Sequence, residues 1–184
     1  MAKDRESSFM QEKIYNENNI DINDIDEVET RTKAIMVNHE NEVLMGYYKK
    51  VYQFIGGHLK INETKEQCLH REILEETGID IDTSLLKPFY VIKYYSKSKD
   101  NKNVLSEIYY YNIPNDEIYH LSNTNYDKEE IDGNYELRYV DLDNFDDIMI
   151  NSIANEDELN EIIIRDNIEV MHYYKNNCLY KNIN

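Results

Sequence analysis

The amino-acid sequence predicts a single α/β domain. Two segments have the apolar periodicity of helices, one near the middle of the chain and one near its C-terminus, and β-rich segments flank the first of them. The 184 residues are enough for one domain with its own core, and no internal repeat indicates a second domain. Residues 1–26 are polar, acidic and rich in Asn, so we expect them to form an arm with at most one short element and residues 27–184 to form the domain.

Strands are predicted on both sides of the first helix. Two β-rich segments joined by a polar turn come first, and a third short segment leads directly into Gly56 and Gly57. After the helix, two more segments separated by a polar loop have the pattern of a hairpin, and one further strand follows. The predicted strands cover residues 32–37, 43–48, 51–55, 89–95, 104–113 and 135–140, and a short helix covers residues 143–150.

The two longer helices have recognisable ends. The first is predicted over residues 63–77, where Asn62 or Thr64 can cap its start. Gly78 can end it, because glycine readily adopts the left-handed conformation found after helices. Residues 155–158 resemble a capping box, and the apolar residues that follow at helical spacing predict an amphipathic C-terminal helix.

Three glutamates of the first predicted helix lie on one face. Glu72, Glu75 and Glu76 are spaced i, i+3, i+4, which places them within about 100° of arc. Such carboxylates repel one another unless a cation compensates, and Mg²⁺ is commonly held by carboxylates together with substrate phosphates. Arg71 precedes Glu75 by four residues and can hold it by a charge-assisted hydrogen bond. The alternative explanation is a solvated acidic helix face.

The residues around these glutamates argue against that alternative. The chain resembles the signature of the Nudix hydrolases, G-x5-E-x7-R-E-U-x-E-E-x-G-U with U apolar, at every fixed position from Gly57 to Ile79. The resemblance implies a Nudix-type α/β/α sandwich with a mixed central sheet. It also implies a divalent-metal-dependent hydrolase that cleaves a pyrophosphate bond in a nucleoside diphosphate linked to another moiety.

The same resemblance assigns roles to residues of the signature. Arg71 orients the glutamates, and Glu63 assists from the start of the helix. His58 follows the glycines and could contact a phosphate, although a single histidine in a loop is more often simply exposed. The ligands implied for a catalytic Mg²⁺ or Mn²⁺ are Glu72, Glu75, Glu76 and the carbonyl of Gly57.

Family members often draw one more catalytic glutamate from the loop before the last long strand. Here Glu129 and Glu130 are the best candidates, and an ordinary solvated acidic loop is the alternative. Glu107 is a weaker candidate on a predicted strand. Because the polar segment 115–133 is long, we expect it to be a mobile loop that brings its glutamate to the site when substrate binds.

The composition limits the partners of the chain. It has 20 basic and 37 acidic residues and a net charge of -17, which repels nucleic-acid backbones. We therefore expect a small nucleotide or polyphosphate substrate, whose approach metal ions mediate, and no nucleic-acid partner. Two cysteines cannot form a disulfide framework, and no apolar run is long enough to span a membrane. These features predict a cytoplasmic protein without a membrane partner.

Two other functions compete with hydrolysis of a small nucleotide. A non-catalytic nucleotide-sensing or regulatory Nudix module would not need the complete set of glutamates. An RNA-end pyrophosphohydrolase would conflict with the acidic surface. The sequence does not choose the nucleoside diphosphate derivative, the general base, the number of metal ions, or between a monomer and a homodimer.

Overall fold

A computed structural model of the protein describes residues 10–152 and 158–179. Within these residues it contains seven strands and four α-helices, together with two single turns of 3-10 helix at Ile22–Asp24 and Leu121–Asn123. The strands are β1 Gln11–Tyr15, β2 Glu27–Val37, β3 Glu42–Tyr48, β4 Val51–Phe54, β5 Pro88–Lys97, β6 Asn103–Asn112 and β7 Glu136–Asp141. The helices are α1 Lys65–Thr77, α2 Lys128–Asp132, α3 Phe145–Asn151 and α4 Glu158–Asn177.

All seven strands belong to one mixed sheet. Their order is β1-β5-β6-β2-β3-β4, and β7 pairs with β3. The pairs β1/β5 and β2/β6 are parallel, and the other pairs are antiparallel. The predicted mixed sheet is therefore confirmed.

Helices cover both faces of this sheet. Side chains along β2 alternate in direction, so that Ile35 joins a buried cluster with α3 and α4, whereas Ala34 and Met36 join a second cluster with α1. Leu69 and Ile73 of α1 are fully buried in the second cluster. The α/β/α sandwich expected from the sequence is confirmed.

The ends of α1 follow from its local sequence. The Thr64 hydroxyl accepts a hydrogen bond from the Gln67 backbone N–H, and the Gln67 side chain accepts one from the Thr64 backbone. At the other end, Gly78 has the left-handed φ of 72°, and its N–H donates to the carbonyl of Leu74. Of the two caps that the sequence allowed, Thr64 is the one used.

The structure contains a short strand in the N-terminal segment, and it differs from the sequence prediction before β7. Within the predicted arm of residues 1–26, Gln11–Tyr15 form β1 at the edge of the sheet, parallel to β5. The segment predicted as a loop before the last strand contains the short helix α2. The predicted capping box at residues 155–158 begins outside the described residues. No helix in the described part of the chain is long and apolar enough to cross a membrane.

Candidate active site

The loop that follows β4 is held tightly against β2. The backbone N–H of Ala34 donates to the Ile55 carbonyl at 2.8 Å, and that of Thr32 donates to the Gly57 carbonyl at 3.0 Å. Gly56 has a φ of +130°, and a Cβ on it would lie 2.1 Å from the Thr32 carbonyl oxygen. Only glycine fits this backbone conformation. The close approach of the loop to β2 also brings the loop beside the glutamates of α1.

Gly57 is needed for a different reason. A Cβ there would lie 2.5 Å from Oε1 of Glu72, so the missing side chain leaves room for a carboxylate beside the loop. Burial raises the pKa of Glu72, and the neighbouring Arg71 guanidinium opposes that shift. The predicted closeness of Gly57 to the glutamate face is thus present in the structure.

Arg71 connects three glutamates. Its Nε and Nη2 donate to the two oxygens of Glu63 at 2.7 and 2.9 Å, the bidentate geometry that a guanidinium favours. Its Nη1 donates to Glu72 at 2.6 Å and to Glu75 at 3.0 Å. The hydrogen bonds from Arg71 lower the pKa of Glu63. The expected contact between Arg71 and Glu75 is present, and Glu63 is seen to fix Arg71 itself.

Glu76 is held by other residues. Glu76 is buried, with only 5% of its surface exposed, and its Oε1 accepts a hydrogen bond from the backbone N–H of Gly56 at 2.8 Å. Oε2 accepts the hydroxyl of Tyr135. The ammonium of Lys33 donates to the carbonyls of Phe54 and Gly56 nearby. Burial raises the pKa of Glu76 and lowers that of Lys33, while the opposite charge of each partner counteracts these shifts.

Arg71, Glu72, Glu75 and Glu76 border one cleft of about 450 Å³. A smaller pocket of about 150 Å³ adjoins it and shares Gly56, Glu76, Asp127 and Glu130 with it. Of the residues singled out from the sequence, those lining the larger cleft are Gly57, His58, Arg71, Glu72, Glu75, Glu76 and Glu130. The structure therefore gathers most of the predicted site in one place.

Glu130 reaches the cleft from α2. Its carboxylate accepts the Asp127 backbone N–H at 2.6 Å, and its own N–H donates to the Asp127 side chain at 2.9 Å. Burial raises the pKa of Glu130, and the negative charges of Asp127, Glu72 and Glu75 raise it further. Glu130 is therefore close enough to the signature glutamates to be influenced by their charge.

The other candidate residues have different surroundings. Glu129 belongs to α2, but its side chain lies outside the described part of the structure. Glu107 forms an ion pair with Lys93 at 3.5 Å and does not line either pocket. His58 accepts a hydrogen bond from Nε of Arg31 at 2.7 Å. Burial lowers the pKa of His58, and the Arg31 charge lowers it further, so that the ring is a neutral acceptor at pH 7.

Sequence reasoning missed two residues of this site, Lys33 and Tyr135. Lys33 lies on β2 after a polar stretch and before the apolar residues 34–37, and a buried ammonium there could not be distinguished from an outward-facing one. Tyr135 is one of seventeen tyrosines, and it contacts Glu76 from 59 positions away in the chain. No short-range pattern points to either residue.

Comparison with known proteins identifies the family. The model for the NUDIX domain matches residues 28–158. The chain belongs to the Nudix family. A segment of 51 residues is 39% identical to the NAD-capped RNA hydrolase NudC of Vibrio atlanticus (strain LGP32), which covers 26% of this chain and 19% of that protein. The matched part therefore spans about a fifth of that Nudix relative.

Solved structures of other proteins resemble the fold more distantly. A mutator MutT protein from Bacillus halodurans aligns over 65% of this chain and 72% of its own, with 19% identity and a TM-score of 0.47. DR0079 from Deinococcus radiodurans aligns over 74% of this chain and 80% of its own, with 17% identity and a TM-score of 0.47. Both scores are below 0.5, so the family assignment depends on the NUDIX model and on the complete signature from Gly57 to Ile79.

Proposed function

We propose that this Nudix protein is a divalent-metal-dependent hydrolase that cleaves a pyrophosphate bond in a nucleoside diphosphate linked to another moiety. The observation that supports this most is the cleft of about 450 Å³, because Glu72, Glu75, Glu76 and Glu130 all line it. A binding module would not need this arrangement of carboxylates.

The donors in the cleft suit a hard divalent cation. Within the described residues, no three His, Cys, Asp or Glu side chains already converge as closely as a bound metal ion requires. The cleft nevertheless presents carboxylate oxygens, which Mg²⁺ and Mn²⁺ prefer. Glu72, Glu75, Glu76 and the Gly57 carbonyl would hold the ion. Bound there, it would neutralise charge that develops on the phosphoryl oxygens.

The residues of the chain supply positioning and proton transfer. Arg71 fixes Glu72 and Glu75, so their carboxylates are oriented before any ligand arrives. Glu130 accepts a proton from a water molecule while the oxygen of that water forms a bond to phosphorus. The bond from that phosphorus to the bridging oxygen breaks, and the leaving phosphate group departs with the electron pair. The raised pKa of Glu130 suits such a base at neutral pH.

The substrate is more consistent with a small nucleotide than with an RNA end. The relative from Vibrio is named for NAD-capped RNA, whose cap contains a pyrophosphate bond of the proposed class. The net charge of -17 opposes binding of the RNA backbone but leaves a compact nucleotide accessible through a bound cation. A dinucleotide or another small nucleoside diphosphate derivative is therefore the preferred substrate class.

A test combines metal titration with turnover. The purified protein is assayed with Mg²⁺ or Mn²⁺ against dinucleoside polyphosphates, nucleotide sugars, NAD and modified nucleoside triphosphates. The products are separated by ion-exchange chromatography, because hydrolysis of NAD or a nucleotide sugar gives two monophosphates and no free phosphate or pyrophosphate. Glu75→Gln and Glu76→Gln should lose Mn²⁺ affinity and at least about 10²-fold in turnover, because each removes a charged ligand. Glu66→Gln is the matched control, since Glu66 lies on the same helix but does not line the cleft.

Two results would contradict the proposal. Wild-type affinity for Mn²⁺ in both variants would show that the signature glutamates do not hold the metal. Binding of a nucleotide without turnover of any compound in the panel would instead support the sensing module.

A further inference from the structure

Tyr135 lies outside the family signature but contacts its most deeply buried glutamate. The residue immediately precedes β7, and its hydroxyl donates to Oε2 of Glu76. Its backbone N–H donates to the carbonyl of Glu130 at 2.9 Å. One residue thus connects the buried metal-ligand candidate on α1 with the helix that carries the candidate base.

The glutamates of the family signature divide into two groups by the residues that hold them. Arg71 donates to Glu63, Glu72 and Glu75. Glu76 instead has the N–H of Gly56 on Oε1 and the Tyr135 hydroxyl on Oε2. A buried carboxylate is costly unless donors compensate for its lost hydration, so each of these two contacts matters for its orientation.

This arrangement leaves Glu76 able to bind a cation. An ionised carboxylate has about four lone-pair positions on its two oxygens, and here one donor occupies each oxygen. Each oxygen therefore keeps a free lone pair while the rotamer is fixed. Such contacts from outside the ligand shell orient ligating groups and commonly affect metal affinity.

The chain also makes room for the tyrosine. An added Cβ on Gly46 of β3 would lie 2.2 Å from Oη of Tyr135, so the Tyr135 side chain passes over β3 at a position that has no side chain. The Tyr135 ring also contacts the ring of Tyr126, with centroids 5.1 Å apart. These contacts direct the hydroxyl at Glu76 and restrict the ring.

We infer that Tyr135 is a positioning residue for the metal site, which orients Glu76 as Arg71 orients Glu72 and Glu75. The inference rests on the proposed function, because it concerns the same cation. Tyr135 would thus influence metal affinity from outside the signature. It would do so through its hydrogen bond to Glu76 and without contacting the reacting atoms.

The test measures binding of Mn²⁺ to the metal-free protein by the loss of the free-ion electron paramagnetic resonance signal. Tyr135→Phe keeps the ring and removes the hydroxyl, and its Kd for Mn²⁺ should rise about 10-fold or more. Tyr139→Phe is the matched control, because Tyr139 lies on β7, the strand that follows Tyr135, and does not line the cleft. Its Kd should stay at the wild-type value.

Turnover and stability separate positioning from packing. High Mn²⁺ concentrations should restore most of the kcat of Tyr135→Phe, since the hydroxyl acts on affinity, but not the kcat of Glu130→Gln. A Tyr135→Phe protein with a lower urea midpoint and wild-type Kd for Mn²⁺ would overturn the inference. If Tyr135→Phe does not fold, Gly46→Ala displaces the same hydroxyl and should raise the Kd similarly.

The controls also distinguish the two levels of the hypothesis. If Glu76→Gln loses Mn²⁺ affinity and Tyr135→Phe does not, the inference about Tyr135 fails while the proposed function stands. If the wild-type protein binds no Mn²⁺, the proposed function fails and the inference fails with it.

Discussion

Two adjacent glycines illustrate how single residues shape the cleft. Gly56 has a left-handed φ and would collide with the backbone of β2 if it carried a Cβ. Gly57 would instead collide with the carboxylate of Glu72, which is the end of a flexible side chain. The first glycine is thus required by the backbone and the second by the site.

This contrast predicts opposite consequences for two substitutions. Gly56→Ala should lower the free energy of unfolding by about 1–3 kcal/mol, because the strained φ and the backbone collision must be relieved by moving the loop. Gly57→Ala should leave stability nearly unchanged but displace Glu72, and a misplacement near 1 Å can cost about 10²-fold in rate. Urea denaturation and kcat of both variants test this.

Each variant is the control for the other. Equal losses of stability would show that Gly57 is also a backbone requirement. A fully active Gly57→Ala enzyme would show that Glu72 does not need its place beside the loop.

At the scale of elements, the segment predicted as a loop before β7 contains the helix α2, while its closure on substrate stays a prediction. The sequence predicts a mobile loop that brings a glutamate to the site on substrate binding. In the structure, Glu130 already faces the cleft, and the segment is tied to α1 by the Asn125 N–H, which donates to the Glu75 carbonyl at 2.7 Å. Gly133 also packs closely on the ring of Tyr48. These contacts favour a preformed base.

Glu130→Gln tests that role without disturbing the helix. A glutamine side chain still has an oxygen to accept the Asp127 N–H, so the turn that begins α2 should persist. We expect kcat to fall about 10²-fold or more with KM nearly unchanged, because general-base catalysis contributes about 10²–10⁴. Asp132→Asn, on the exposed part of the same helix, should have wild-type kinetics.

A normal kcat in Glu130→Gln would require another base. Glu129→Gln is then the first comparison, since the sequence indicates Glu129 as well as Glu130. If both variants are fully active, Glu72 becomes the candidate.

The elements that the sequence predicts well are those with local signals. Caps, helical spacing and terminal glycine all occur within α1, and the structure confirms its position to within two residues at its start. The strand β1 has the opposite character, because QEKIY is mostly polar and has no turn signal. Its pairing depends on the open edge of β5, which lies far away in the chain.

The candidate site divides in the same way. Glu72, Glu75 and Glu76 are adjacent in the sequence, so their spacing alone places them on one helix face. Lys33 and Tyr135 reach Glu76 only after β2 and β7 have taken their places in the sheet. Their roles come from tertiary structure, and a sequence with seventeen tyrosines offers no means of choosing one.

At the scale of the whole molecule, charge influences how substrate approaches. The net charge of -17 opposes any anion, and two basic residues beside the glutamates, Arg71 and Lys33, are already engaged. Arg71 is bound to three glutamates, and the Lys33 ammonium is bound to two carbonyls. A bound divalent cation would supply the attraction that these side chains do not.

The β1 edge of the sheet lies away from the cleft, whose loop is bound to the central strand β2. Tyr15 of β1 stacks on Tyr94 of β5 with ring centroids 4.9 Å apart, and its hydroxyl donates to Glu169 of α4 at 3.0 Å. The guanidinium of Arg165 lies 4.2 Å from the centre of the same ring. Tyr15 therefore fastens the N-terminal strand to both the sheet and the C-terminal helix.

Substitution of Tyr15 should change stability and leave the cleft unaffected. Tyr15→Ala removes the aromatic pair, the hydrogen bond and ring burial, which together contribute about 2–3 kcal/mol. Tyr15→Phe removes only the hydrogen bond and should cost about 1 kcal/mol or less, because Tyr90 still donates to Glu169. Urea denaturation measures both values, and Mn²⁺ affinity and kcat should match the wild type because β1 lies at the far edge from β4. A loss of Mn²⁺ affinity in the folded Tyr15→Ala protein would instead show that the edge strand and the cleft are coupled through the sheet.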